Sequence, residues 1–236
     1  MFRRIFLTAL LAGLISGLGV SVVQEFTTTP VILHAEKFEN AAPDSGHKHG
    51  ALRPGLALSS TAQAHEHGGK AAAATEPEAW GPEDGIERTL HTTLANVLAG
   101  IGFALVLTAL FTLSGRNIDG PTGVLWGLGG FAAFTLAPSL GLPPEVPGAM
   151  AAELDGRQGW WMLCVVSTAA ALWMLALKKG SLWIAGGLLL LVLPHAIGAP
   201  QPDKIGGAVP PEIAAHFVAA SIVTAAIFWC ALGWLA

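Results

Sequence analysis

Tyrosine is absent from this chain, and charge is scarce: 12% of its 236 residues are Asp, Glu, Lys or Arg. Soluble domains carry about 25%. So small a supply cannot cover a globular surface of normal polarity, which excludes an ordinary water-soluble domain and points to lipid as the surrounding solvent. The formal net charge of −4 excludes the basic patch that a nucleic-acid partner demands. Cysteine is limited to Cys164 and Cys230, each alone in an apolar run. That gives no disulfide framework and no thiolate metal site, and leaves two small buried hydrophobes. Catalytic motifs are missing as well. Gly68-Gly69-Lys70 is followed by Ala71 and lacks the upstream glycine of a phosphate-binding loop, and no nucleophile elbow, HExxH or CxxC occurs. The expectation is a protein that is not an enzyme. If it moves anything, energy must come from a partner or from the membrane potential.

What is present is apolar sequence, 53% of the chain. A spanning helix needs about 20 mainly apolar residues. Six segments approach that length: Ile5–Val23, Leu90–Leu113, Thr122–Leu140, Gly159–Leu177, Leu182–Ala199 and Ile213–Leu235. The expected fold is all-α, a polytopic integral membrane helical bundle of about six transmembrane helices, or five if the first segment is a cleaved signal peptide. No small-x-small cleavage pattern follows that segment. Ala9, Gly13, Gly17 and Ser21 instead repeat at spacing four, the stripe that lets transmembrane helices approach closely. The first span is therefore read as retained. The chain divides into a first transmembrane helix (1–24), an extracytoplasmic His-containing loop (25–88) and a five-helix transmembrane bundle (89–236). In the loop, Phe26–Phe38 is apolar enough for a short helix against the membrane. From Asn40 to Pro82 the composition reads as disorder.

Charge orients the bundle. With the N-terminus in the cytoplasm, the short inner loops receive Arg3, Arg4, Arg116, Lys178 and Lys179. The outer loops hold Glu145, Glu153, Asp155, Asp203 and Glu212 against Arg157 and Lys204. This is the positive-inside pattern through every span. It predicts a multi-pass protein of the bacterial inner membrane with both termini cytoplasmic.

Histidine carries the candidate chemistry. His47 and His49, then His65 and His67, form two His-x-His pairs in the loop, and imidazole is a preferred ligand of Co, Ni, Cu and Zn. The plain alternative is a solubilising loop rich in His. His91, His195 and His216 lie within or against three different spans, all toward the outer face. Glu87 precedes His91 by four residues and Glu212 precedes His216 by four, so each pair shares a helix face. A carboxylate there can be a second ligand or can orient the ring; the plain reading is a helix-terminal Glu beside an interfacial His. Glu145 completes the set of candidate metal ligands. Pro194 and Pro138 predict broken helices near the outer end, with backbone oxygen left for a cavity or a neighbour. Gly123, Gly127, Gly186 and Gly187 read as close-packing positions. Trp160, Trp161, Trp183, Trp229 and Trp234 read as interfacial belts. Polar groups for the inner half are few, with Asn96, Thr108 and Thr168 the best candidates.

Three strings carry a family likeness. Phe134-Thr-Leu-Ala-Pro-Ser-Leu-Gly-Leu-Pro-Pro-Glu-Val-Pro-Gly148, Arg157-Gln-Gly-Trp-Trp161 and Leu193-Pro-His-Ala-Ile-Gly-Ala-Pro-Gln-Pro202 resemble the CbtA family of predicted cobalt transporter subunits. The Phe2-Arg-Arg-Ile-Phe start fits as well, and the likeness covers the chain outside its loop. It implies uptake of cobalt for cobalamin synthesis beside a small single-span partner, CbtB, but supplies no ligand set to carry over. The expectation is thus an inner-membrane transporter subunit with no tightly bound cofactor, whose cargo is a divalent transition metal, cobalt first and nickel or zinc as alternatives. The rival is a non-transporting accessory or metal-sensing scaffold. A dication moving inward gains roughly 4.6 kcal/mol per 100 mV, enough for accumulation on the order of a thousandfold without an ATPase.

Overall fold

The computed structural model describes residues 2–41, 82–204 and 206–236. The helices run α1 (Phe2–Phe26), α2 (Thr28–Ala41), α3 (Ile86–Ser114), α4 (Gly120–Phe131), a π-helical turn (Ala132–Leu136), α5 (Ala137–Ser139), α6 (Leu154–Leu177), α7 (Ser181–Ile197) and α8 (Pro211–Leu235). Among the described residues there is no strand, and an isolated bridge joins Ala149 to Gly207. Local chemistry sets the boundaries. Gly115 takes the left-handed conformation that closes α3. Asp119 caps α4, its carboxylate accepting the Thr122 N–H at 3.0 Å, with Pro121 in the first turn.

All six apolar segments are helical. Four of the helices, α1, α3, α6 and α8, are individually long and apolar enough to cross a membrane; α7, at 17 residues, is shorter. The third segment, residues 120–139, is one helical path divided by the π turn. Pro138 is the physical reason for the division. It cannot donate to the carbonyl four residues back, and the N–H of Ala137 reaches back to Ala132 instead, widening the helix by one residue.

Small residues hold the helices together. On α1 the stripe Ala9, Gly13, Gly17 and Ser21 is buried. Its glycines meet the α3 backbone: a Cβ at Gly17 would lie 2.6 Å from Val97 Cα, and Gly13 abuts Ile101 and Gly100. Gly123 and Gly127 of α4 abut the backbone of Gly233 and Trp229 of α8. Gly187 of α7 accommodates Leu175 of α6, whose Cγ would be 2.8 Å from an added Cβ. Lipid tails are as apolar as side chains, so close packing of this kind is what associates helices in a bilayer. The outward faces carry Leu11, Ile15, Val22, Leu98, Val166 and Leu189, all exposed. That surface suits lipid and not water.

Between the helices, aromatic rings fill the core. Phe134 stacks on Trp229 with centroids 5.6 Å apart, and Phe103 lies 5.0 Å from Phe134 and 4.8 Å from Trp229. The belt reading of the tryptophans is therefore corrected in part. Trp160 and Trp229 are buried at 6% and 3% exposure, whereas Trp183 and Trp234 are exposed. An indole buries a large apolar area and needs one acceptor, so it suits an interface or a core equally well.

The short helix expected at residues 26–38 is present as α2, joined to α1 through the single turn residue Thr27. It packs against α8 and α1. Arg88, in the first turn of α3, holds it by a bidentate ion pair in which Nη1 and Nη2 donate to the two Glu36 carboxylate oxygens, and Arg88 also reaches Asp84 at 2.9 Å. The same end of the bundle gathers the loops before α6 and before α8, where Met150 N–H donates to Gly206 at 3.2 Å.

Candidate functional site

A cavity of about 380 Å³ opens among α1, α2, α3, the π turn, α6 and α8. Each wall is explained by its local sequence. Gln24 and Thr28 flank the α1–α2 turn; Asn96 is on the face of α3 that meets α1; Phe134 and Thr135 come from the π turn; Ser221 and Thr224 face in from α8. Trp161, Phe103, Phe217, Phe228 and Trp229 supply ring surface.

The polar groups pair in two sets. Asn96 Nδ2 donates to Gln24 Oε1 at 2.6 Å and to Ser21 Oγ at 3.0 Å. The hydroxyls of Thr27 and Thr224 lie 3.0 Å apart, and Thr27 Oγ1 also donates to the Val23 carbonyl at 2.8 Å. Polar side chains in a spanning bundle are costly unless paired, and these meet across three helices. The π turn belongs to the same site, since such turns accompany functional sites often. Of the polar residues named from sequence for a path, Asn96 lines the cavity, but toward the end where α1 finishes. Thr108 spends its hydroxyl on the Ala104 carbonyl at 2.8 Å within its own helix, and Thr168 is buried in α6. Gln24, Thr28, Thr135, Ser221 and Thr224 were missed; the only sequence signal for them is a polar atom inside an otherwise apolar segment.

The candidate metal ligands are placed around the same end of the bundle. His91 is exposed in the second turn of α3, its Nδ1 2.9 Å from the Glu87 carbonyl oxygen. It therefore meets the Glu87 backbone, whereas the carboxylate was the expected orienter. His195 is half-buried near the end of α7, its ring edge-to-face with Trp160 at 5.8 Å. Pro194 precedes it, and the Pro194 carbonyl accepts the Trp160 indole N–H at 3.0 Å and the Gly198 N–H at 3.1 Å. His216 and Glu212 are exposed in the first turns of α8. Glu145 is paired, accepting Arg157 Nη2 at 2.8 Å. His47, His49, His65 and His67 lie outside the described residues. Among the described residues, no three His, Cys, Asp or Glu side chains are grouped to hold a metal ion.

An all-helical bundle with an apolar exterior, close helix contacts through glycine and a half-open, mostly apolar cleft bearing a few polar side chains is that of a helical membrane protein. Over residues 2–236 the chain matches the family described as probable cobalt transporter subunit (CbtA), and it belongs to that family. No curated protein and no solved structure matches it.

Proposed function

We propose that this chain is the membrane-embedded subunit of an inward cobalt transporter that feeds cobalamin synthesis, working beside a small single-span CbtB-like partner. The observation that carries the reading is the cavity joined by Gln24, Asn96 and Thr224 inside an apolar bundle. Polar groups placed there at a cost are expected to serve a solute. The bundle then crosses the inner membrane six times, α7 and the π-interrupted run included, with both termini in the cytoplasm. The loop histidines His47, His49, His65 and His67 collect the ion. His91, His195 and His216, with Glu87 and Glu212, act as separate positions on separate helices that pass it toward the cavity. Glu145 joins them by exchanging Arg157 for the ion. The membrane potential supplies the drive.

The test is accumulation of radioactive cobalt by cells lacking their own uptake system and supplied with this gene, with and without its single-span neighbour. Potential-dependent uptake that Asn96→Leu abolishes supports the reading. Equal accumulation with and without the gene, at normal membrane insertion, leaves the accessory or metal-sensing role. Nickel or zinc accumulating in preference to cobalt reassigns the cargo.

A further inference from the structure

We infer that the cation occupies the cleft with a complete first coordination shell, regained once it leaves the imidazoles of the outer end, so that the cleft binds an aqua or ammine complex through hydrogen bonds and aromatic rings and forms no direct bond to the metal. The inference rests on the transport reading and adds the chemical form of the cargo.

The lining contains no Asp, Glu, His, Cys or Met. A transition-metal ion stripped of water takes imidazole, carboxylate or thiolate ligands; neutral amides and hydroxyls are poor substitutes. They are, however, well suited to the water on a dication, which donates strong hydrogen bonds. Asn96 is set up as an acceptor. Its Nδ2 is committed to Gln24 and Ser21, and what it can offer the cavity is the carbonyl oxygen Oδ1. The aromatic rings act in the same sense, since a cation within reach of a ring face is attracted by its quadrupole. Trp161, Phe217 and Phe228 bring such rings to the lining.

Size and solvation agree. Six waters occupy about 180 Å³ at roughly 30 Å³ each, and the half-open cleft of about 380 Å³ does not exclude a complex of that size. Retaining the shell also enlarges the ion's effective radius, and the Born cost of entering a low-dielectric interior falls as that radius grows. A cavity without a single charged wall residue can host a dication on those terms.

Hexaamminecobalt(III) is the probe, because its ammines do not exchange and imidazole cannot capture it by coordination. The full-length protein is purified, and tryptophan fluorescence is followed as the complex is added, Trp161 and Trp229 being cavity residues. The expected result is saturable quenching whose midpoint rises by about tenfold in both Asn96→Leu and Ser221→Ala. The second variant removes one hydroxyl and should fold even if the first does not. The complex should also compete with cobalt(II) for uptake into cells carrying the gene. Cobalt uptake undiminished by a large excess of the complex, with quenching indifferent to both substitutions, overturns the inference while the transport reading stands. Variant-sensitive quenching in a protein that takes up no cobalt overturns the transport reading instead. Equal quenching by tetramethylammonium overturns the inference in favour of a general organic-cation pocket.

Discussion

The indole N–H of Trp160 donates to the carbonyl oxygen of Pro194, 3.0 Å away on the neighbouring helix. Pro194 leaves the Leu190 carbonyl without its helical donor; the Pro194 carbonyl itself accepts the Gly198 N–H at 3.1 Å, and the indole from α6 is its second donor. The two rings that meet there, Trp160 and His195, fix the last turn of α7 against α6. Removing only the donor, in Trp160→Phe, should cost about 0.6 kcal/mol, the average for interhelical hydrogen bonds in membranes. Trp160→Ala also empties the site and should cost about 3–5 kcal/mol. Thermal unfolding of the purified protein separates the two. If both variants unfold at the wild-type temperature, this contact does not hold α7 in place.

The α1–α3 contact makes a sharper prediction. Gly17 has Val97 Cα at 2.6 Å from where a Cβ would stand, and Gly13 is closer still to Ile101. The obstructing atoms are backbone, so nothing short of separating the helices relieves the clash. Gly13→Ala and Gly17→Ala should each destabilise by about 1–3 kcal/mol. Gly19, with nothing near it, should tolerate alanine. Helix propensity favours alanine, so a Gly19→Ala variant as unstable as the other two would show that lipid contact, and not α1–α3 packing, sets the effect.

The same residues explain how far the sequence could be read. The spacing of Ala9, Gly13, Gly17 and Ser21 is a one-dimensional pattern, and it marks one face of one helix, so close packing on that face was visible in advance, whereas its partner α3 was not. The break at Pro138 was visible too, because proline removes a donor wherever it stands, although the π turn that results was not. The cavity is different in kind. Gln24, Asn96 and Thr224 are isolated polar residues in separate segments, and no local period says that they meet. Trp160 and Trp229 illustrate the same limit, since an indole at a helix end looks alike whether its acceptor is a headgroup or the Pro194 carbonyl. The metal-ligand set remains an expectation for that reason: sharing one end of the bundle does not make His91, His195 and His216 neighbours.

Asp119 gives a pH-dependent prediction outside the membrane-spanning segments. The bonds it accepts from the Thr122 side chain and backbone hold its carboxyl below the ordinary value of 3.8. A lowered folded-state value means stability that is present above the ordinary value and lost as pH falls through the lowered one. Asp119→Ala should therefore lower the unfolding temperature slightly at neutral pH, and the difference from wild type should shrink below about pH 4. Asp119→Asn, which still caps, should unfold near the wild-type temperature with a weaker acid dependence. A gap between Asp119→Ala and wild type that is constant from neutral to acid pH would mean the carboxylate is not the capping group.

The histidines decide whether the outer end of the bundle handles metal. A carbonyl oxygen can only accept, so His91 Nδ1 donates to the Glu87 carbonyl at 2.9 Å and that contact orients the ring. His195 has its ring fixed against Trp160, whereas His216 is exposed one turn into α8. Order of that kind predicts graded effects. His195→Ala should abolish cobalt uptake at normal expression and insertion. His91→Ala and His216→Ala should each weaken it on the order of tenfold, visible at scarce metal and overcome by excess. Uptake that is unchanged in all three single variants and in the triple variant would make these residues interfacial anchors. Recognition would then fall to the partner subunit, or to the Gln24–Asn96 cavity acting alone.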